Sequence, residues 1–475
     1  MTKQVPLCVD PEGTLFRTNI LLESLLLFLT RRPFSFWLIG IWLLRGKAVL
    51  GRELMARELP DFVALPVNPD FLAFLKRQRD DGRDLVLVTS RDRQTAAAMA
   101  KPFDLFESLV SGSKAADGTG TGLAALLRER FGAQPYDYAD SGKGDPAVRL
   151  AARKLILVTA PDGAVQDAQT VPGLEKMAGE PLPHWRDWAR ALRLYQWPKN
   201  LLLLAPLMFA HAWNDTTKLA ALALALAGFC LCASSVYILN DLLDLAADRH
   251  HPTKRHRPFA AGKIPLGFGI LAAPLLLIAS FLVVAGLPVA FWLSFALYYV
   301  LTLGYSLRLK QIAILDVLLL AGLYTLRVIA GGLAVQIHVT DWLLAFSLFL
   351  FLSLAFVKRF TELQSARDAN QSQAAGRGYL TSDIHLVSSM GVSCGYLSVL
   401  VLAFYINNPA VARLYQRPDA LWLACPVLLY WISRIWLLAH RQRLHEDPVV
   451  FTLKDWQSWL VGLIFLLIAA AASPL

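Results

Sequence analysis

Cysteine is scarce and unpatterned in this chain. The five that occur (Cys8, Cys230, Cys232, Cys394, Cys425) show no metal-ligand spacing, so neither a zinc site nor a disulfide is expected. Cys230 and Cys232 lie inside an apolar run, where a thiol serves as a small hydrophobe. No soluble basic face interleaved with aromatics is found, which argues against a nucleic-acid partner despite the net charge of +10. No cleavable leader is expected either, because the chain opens on a strand-like run that ends at Asp10. Charge itself becomes sparse in the C-terminal half. Residues 1–190 carry charges every few positions, whereas 200–475 hold repeated apolar runs long enough to cross a bilayer as helices.

The expected organisation is therefore a soluble module over 1–175, an interfacial linker helix over 176–198 and a membrane bundle over 199–475. In the module, short continuous apolar runs at 5–9, 84–88 and 155–158 alternate with helical stretches. This pattern predicts a doubly wound α/β fold with a parallel sheet. Ligands in such sheets bind beyond the carboxyl ends of the strands, where Asp10 and Thr89 fall. Asp10-Pro11-Glu12-Gly13-Thr14 resembles the first motif of the haloacid dehalogenase-like superfamily, Thr89 the hydroxyl of its second, and the run from Asp140 to Asp145 its acidic Mg²⁺ motif. The resemblance implies a phosphatase with Asp10 as nucleophile and the position of Glu12 as general acid; the other reading is a degenerate domain kept for folding or docking. The chain departs from the pattern in having Glu for the second Asp, Ala139 before Asp140, and no third-motif Lys at the expected place, with Lys114 as a substitute. The glycine-rich run 118–122 follows no strand and reads as a loop. Residues 34–44 are apolar, contain two Trp, and are flanked by Arg31, Arg32, Arg45 and Lys47. They are too short to span; an interfacial helix and a cap helix packed on the α/β core both remain open.

Three Trp mixed with Arg and Lys over 184–199 suit a helix at the membrane surface. About nine spans are expected, near 200–214, 217–239, 265–286, 288–305, 313–335, 341–357, 387–406, 419–438 and 457–474. The basic loops 249–263, 306–311, 358–378 and 440–454 all fall on one side if the spans alternate. The positive-inside rule puts them and the N-terminal module in the cytoplasm and the C-terminus in the periplasm or outside, in an inner (plasma) membrane.

One passage concentrates the chemistry. Asp241, Asp244 and Asp248 follow Asn240 at i, i+3, i+7 and share a helical face, and Lys254, Arg255 and Arg257 come next. Carboxylates so placed repel unless a cation lies among them, and hard oxygen ligands beside phosphate-binding cations favour Mg²⁺ on a diphosphate. This stretch resembles the first signature of the UbiA superfamily of intramembrane prenyltransferases, in which the motif holds Mg²⁺ and the donor diphosphate. The resemblance covers about 186–475.

A second paired-Asp motif, usual in that superfamily, has only Asp316 here. Trp197-Pro198-Lys199-Asn200, the run from His251 to Arg257, Tyr305 with Lys310, and Leu326-Arg327 resemble the polyprenyl-phosphate phosphoribosyltransferase branch. That branch takes phosphoribosyl diphosphate as donor and a lipid phosphate, such as decaprenyl phosphate, as acceptor. The resemblance implies roles in substrate binding for Lys199, Asn200, Asn240, Lys254, Arg255, Arg257, Tyr305, Lys310, Arg327, Lys358 and Arg359. It implies catalytic roles for Asp241, Asp244, Asp248 and Asp316. A charge within a span, as at Arg327, is costly and usually functional; its other reading is an internal partner for Asp316. Rival expectations are a prenyl transfer to an aromatic acceptor and a non-enzymatic transporter or scaffold.

Overall fold

The computed structural model describes residues 4–112, 122–142, 144–158, 173–177, 183–210, 212–373, 376–408, 415–444 and 447–472. Lys114 and residues 118–121 lie outside them. The chain forms two compact units, Met1–Leu192 with Tyr237–Ala273, and Arg193–Val236 with Pro274–Leu475.

The first unit is built on a parallel sheet of six strands: β1 (Leu7–Val9), β2 (Leu85–Thr89), β3 (Ser108–Ser111), β4 (Asp137–Asp140), β5 (Lys154–Val158) and β6 (Glu175–Met177). Their order is β3-β2-β1-β4-β5-β6, with β1 at the point where the winding reverses. Both faces are covered. Cys8, Val86 and Tyr138 join one apolar cluster, while Leu7, Val9, Leu85 and Ala139 join another. That two-sided burial explains why the strands read as continuous rather than alternating apolar runs. The expected strands correspond to β1, β2 and β5; β3 and β4 were less legible because Ser108, Ser111, Asp137 and Asp140 interrupt their apolar pattern.

The insert after β1 holds helices α1 (Ile20–Arg31), α2 (Phe36–Leu44) and α3 (Lys47–Arg57). Asn19 caps α1 by accepting from Leu22 N at 3.1 Å. The chain then turns by 116° into Pro33–Leu44. In α2, Trp42 alone is buried, its ring 5.4 Å from Phe28, whereas Leu44 at its end and Phe34 in the turn before it are 91% and 81% exposed. Helix α2 is thus anchored by one aromatic and presents an apolar outer surface, while α1 and α3 bury Leu26, Phe28, Leu50 and Leu54.

Seven helices among the described residues are long and apolar enough to cross a membrane: Thr216–Leu243, Leu266–Val283, Val289–Leu307, Leu315–Ala334, Asp341–Asp368, Thr381–Ile406 and Pro418–His440. They match seven of the expected spans. Pro448–Lys454 and Trp456–Ala472 form a broken candidate bent by 83° at the expected last one. Such a set makes the chain an integral membrane protein. The expected span 200–214 is different. Leu194–Leu204 is a 3₁₀ helix containing Pro198, followed by a short α-helix, Ala205–Phe209, with Pro206 in its first turn. Proline removes the N–H that a continuous helix would need. The 3₁₀ segment packs so close to Leu315–Ala334 that a Cβ on Gly331 would lie 2.8 Å from the Leu203 carbonyl carbon. The interfacial linker is also not one helix: Trp185–Ala191 ends before Arg193, whose φ is 51°.

Candidate active site

In the first unit, the long helix Thr216–Leu243 ends just after Asp241, Asp244 occupies the break, and Leu245–His250 resumes with Asp248. Helical hydrogen bonds persist through the break, from Asp244 N to Asn240 O and from Asp248 N to Asp244 O, both 2.8 Å. Asp241 and Asp248 are buried and converge on one cation. Arg257 Nη1 donates to Asp241 Oδ1 at 3.1 Å and to Asp248 Oδ2 at 2.6 Å. Burial raises the Asp248 carboxyl above its usual range, with Asp241 adding to it and Arg257 opposing it.

Two buried carboxylates around one positive charge make a site that a hard cation fits, given further oxygens from a phosphate. No group of three His, Cys, Asp or Glu side chains among the described residues is arranged to hold a metal alone. Lys254 and Arg255 are exposed on a 3₁₀ turn, where Arg255 Nε meets His256 Nε2 at 3.4 Å, and Asn240 is half-buried.

The second unit holds a buried cationic cluster. Arg327 donates to Asn200 Oδ1 at 2.9 Å, Tyr298 Oη at 2.8 Å and Leu323 O at 2.8 Å. Its guanidinium lies 5.3 Å from the Tyr324 ring centre, and Lys199 Nζ lies 5.9 Å from the same ring. Lys199 and Lys358 share the Asp447 carboxylate, at 2.9 and 3.1 Å. Burial alone would raise that carboxyl; Lys358 and Lys199 outweigh it and hold it well below the usual range.

Asp316 is fully buried. Its partners are Arg359, at 3.1 Å, and Tyr379, whose Oη donates at 2.7 Å. Arg327 is therefore not the internal partner of Asp316; Arg359 is. The Tyr379 hydroxyl also accepts from Ile314 N at 2.8 Å, holding Ile314 at φ 67°, a strained value for a β-branched residue. Arg359 Nη1 reaches Glu362, while its buried Nη2 has no hydrogen-bond partner among the described residues. Tyr305 accepts from Arg377 Nη1 at 3.1 Å, and the Lys310 carbonyl accepts from the same atom at 3.3 Å.

A cavity of about 580 Å³ opens at the carboxyl end of β1, lined by Asp10, Lys47, Arg52, Arg91 and Asp145. Burial raises the Asp10 carboxyl to about 7; the Glu12 amide opposes this, Glu12 and Asp140 add to it, and Arg91 lowers it. Arg91 grips Glu12 through Nε at 2.6 Å and Nη2 at 3.0 Å. Asp140 accepts from Arg149 Nε at 2.6 Å. Thr89 Oγ1 accepts from Arg91 N at 3.3 Å, and Asp145 caps Pro146–Ala151 through Ala147 N at 2.9 Å.

Sequence reasoning did not single out Asp447, Tyr298, Tyr324, Tyr379 or Arg91. Asp447 had one available signal: an Asp before Pro448 inside a basic loop is a helix cap with surplus cations near it. The tyrosines lie in apolar runs, where an aromatic reads as core.

Residues 201–467 match the UbiA prenyltransferase family. The uncharacterized protein y4nM of Sinorhizobium fredii is 33% identical over 465 residues, which is 97% of this chain and 89% of that protein. Nodulation protein NoeC of Azorhizobium caulinodans is 35% identical over 60% of this chain and 95% of its own length. The decaprenyl-phosphate phosphoribosyltransferase of Mycolicibacterium smegmatis is 32% identical over 54% of this chain and 82% of its own length. With more than half of its residues matched and a relative aligned over nearly its whole length, the chain belongs to the UbiA prenyltransferase family.

Proposed function

We propose that the chain transfers phosphoribose from phosphoribosyl diphosphate to a polyprenyl phosphate. The observation that carries this reading is the cationic cluster of the second unit. Lys199 and Lys358 share a single carboxylate, Asp447, and Arg327 bonds to neutral groups, so these cations suit anionic groups beyond the one diphosphate of a prenyl donor. Asp316, where a second acidic pair would stand, is committed to Arg359 and Tyr379. The name of the Mycolicibacterium smegmatis relative agrees.

In this reaction the bond from ribose C1 to the diphosphate oxygen breaks, and a lipid phosphate oxygen forms the new bond to C1. The acceptor is already anionic, so its attack needs no strong general base. Asp241 and Asp248, with Asp244 beside them, would hold Mg²⁺, which neutralises charge on the leaving diphosphate when bound. Arg257 would then turn from the carboxylates to the donor phosphates. The buried cations of the second unit orient and stabilise anionic groups, so catalysis is mainly positioning and electrostatics.

The reading includes an inner-membrane location with the basic loops and N-terminal module in the cytoplasm and the C-terminus outside. It also includes removal of the 5-phosphate from the product by Asp10, in a cavity whose Lys47, Arg52 and Arg91 suit a phosphate monoester.

The test is pyrophosphate release by the purified chain with Mg²⁺. Release that needs both phosphoribosyl diphosphate and a polyprenyl phosphate supports the proposal. Release that needs a prenyl diphosphate and an aromatic acid would assign the chain to the aromatic prenyltransferases instead.

A further inference from the structure

Arg249 directly follows Asp248, and by sequence it reads as one more basic loop residue. In the first unit it is buried, and its guanidinium closes a two-pronged ion pair with Glu23 of α1. Nη1 donates to Glu23 Oε2 at 2.7 Å and Nη2 to Oε1 at 2.6 Å, with both side chains no more than 5% exposed. Nε donates to Ala260 O at 3.2 Å. One guanidinium thus joins α1, the helix that carries Asp248, and the return strand of chain that carries Arg257.

Other contacts hold the same segments. Thr30 Oγ1 of α1 donates to Leu243 O at 3.0 Å, the last residue of a membrane-spanning helix. Gly262 adopts φ +69°, and a Cβ there would lie 2.8 Å from Pro66 Cγ. Glu23 also accepts from Thr18 Oγ1.

A buried ion pair of this kind brings little net stability, because removing both charges from water cancels most of the attraction. Its geometric effect is large, since a carboxylate and a guanidinium meeting through two parallel bonds leave little rotational freedom. Here the fixed part is the spacing between Asp248 and Arg257, two of the three side chains in the acidic site. An outer residue that orients a ligand carboxylate typically changes metal affinity or activity by about 10–100-fold when removed.

We propose that Glu23 is a positioning residue for the diphosphate end of the transferase. Through Arg249 it sets the Asp248 carboxylate against Arg257, so the insert of the α/β module is a structural part of that site. This rests on the assignment of Asp241 and Asp248 to the donor diphosphate.

The experiment uses the full chain in detergent. Calorimetry measures binding of inorganic pyrophosphate with Mg²⁺, and transfer kinetics measure KM for donor and acceptor separately. Glu23→Gln should weaken Mg²⁺–pyrophosphate binding and raise the donor KM, each about tenfold or more, and leave the acceptor KM unchanged. Glu23→Asp, which keeps the charge, should recover part of the loss. Wild-type pyrophosphate affinity and donor KM in Glu23→Gln would overturn the proposal. If Glu23→Gln does not fold, the double variant Glu23→Leu with Arg249→Met, which leaves no unpaired buried charge, decides by the same two readouts. A wild-type chain that binds Mg²⁺–pyrophosphate and transfers no phosphoribose would remove the proposed reaction, while the calorimetric comparison would still judge Glu23.

Discussion

Arg327 and Asn200 are joined by a 2.9 Å hydrogen bond inside the helical unit, from Nε to Oδ1, with both side chains buried. Asn200 Nδ2 in turn donates to Cys230 Sγ at 3.3 Å. Arg327 spends a second donor on Tyr298 and lies over two tyrosine rings. The guanidinium plane is therefore set by its neighbours before any substrate arrives, as an electrostatic catalyst requires. Arg327→Lys keeps the charge but loses the planar fork. It should lower kcat by about 100-fold while the protein remains folded, whereas Asn200→Ala should have a smaller effect in the same direction. Steady-state kinetics on detergent-purified variants checks both, and near-wild-type kcat in Arg327→Lys would contradict the role.

Asp447 keeps two lysines together that would otherwise repel. Replacing it by Asn leaves Lys199 and Lys358 side by side without a counter-charge, at a cost of about 3 kcal/mol. The expected result is a clear fall in melting temperature in detergent at neutral pH. Because the folded-state carboxyl titrates below its usual range, its stabilisation is complete above that range and is lost as the pH falls beneath it. The gap between wild type and Asp447→Asn should therefore narrow in strong acid and persist at pH 6–8. An equal gap in strong acid would contradict the ion-pair account.

Asp10 has the opposite sign. Its folded-state carboxyl is raised from 3.8 to about 7, so the folded form binds its proton more tightly than the unfolded chain does. That contribution is complete below the ordinary carboxylate value and is lost as the pH rises through about 7. Asp10→Asn should melt with wild type near pH 4 and above it at pH 8. Equal melting at both pH values would show that Asp10 is not strained by burial.

The outer surface of α2 makes a further prediction. Trp37 is 56% exposed among apolar neighbours, the flanks carry Arg31, Arg32, Arg45 and Lys47, and Thr30 is bonded to the end of a membrane-spanning helix. An apolar helix with basic flanks at that position suits an anionic bilayer surface. In vesicles containing brominated anionic lipid, quenching should fall measurably between wild type and Trp37→Phe. Identical quenching in the two would indicate that α2 stays in water.

The legible parts of the fold were those with a repeating physical pattern. Two-sided burial made β1, β2 and β5 readable as apolar runs, and hydrocarbon thickness made seven spanning helices readable by length. The acidic stretch from Asp241 to Asp248 stood out in the sequence because three carboxylates at the end of an apolar run are costly, and the fold brings Asp241 and Asp248 onto Arg257. The 3₁₀ segment at Leu194–Leu204 was not, since Pro198 changes its geometry without changing its hydropathy. Partner choice was illegible for a different reason. Glu23 meets Arg249 across 226 residues and Lys199 meets Asp447 across still more chain, and no local spacing encodes such pairs. For Arg359 and Arg327 the residue types were evident, but only the fold decides which of them neutralises Asp316.

The most direct test is to incubate the purified chain with Mg²⁺, phosphoribosyl diphosphate labelled in the ribose, and a polyprenyl phosphate, then to extract the lipid phase. The account predicts ribose label in the lipid for wild type and its loss in Asp241→Ala. An unlabelled lipid phase from folded wild-type protein, or label that persists in Asp241→Ala, would contradict it.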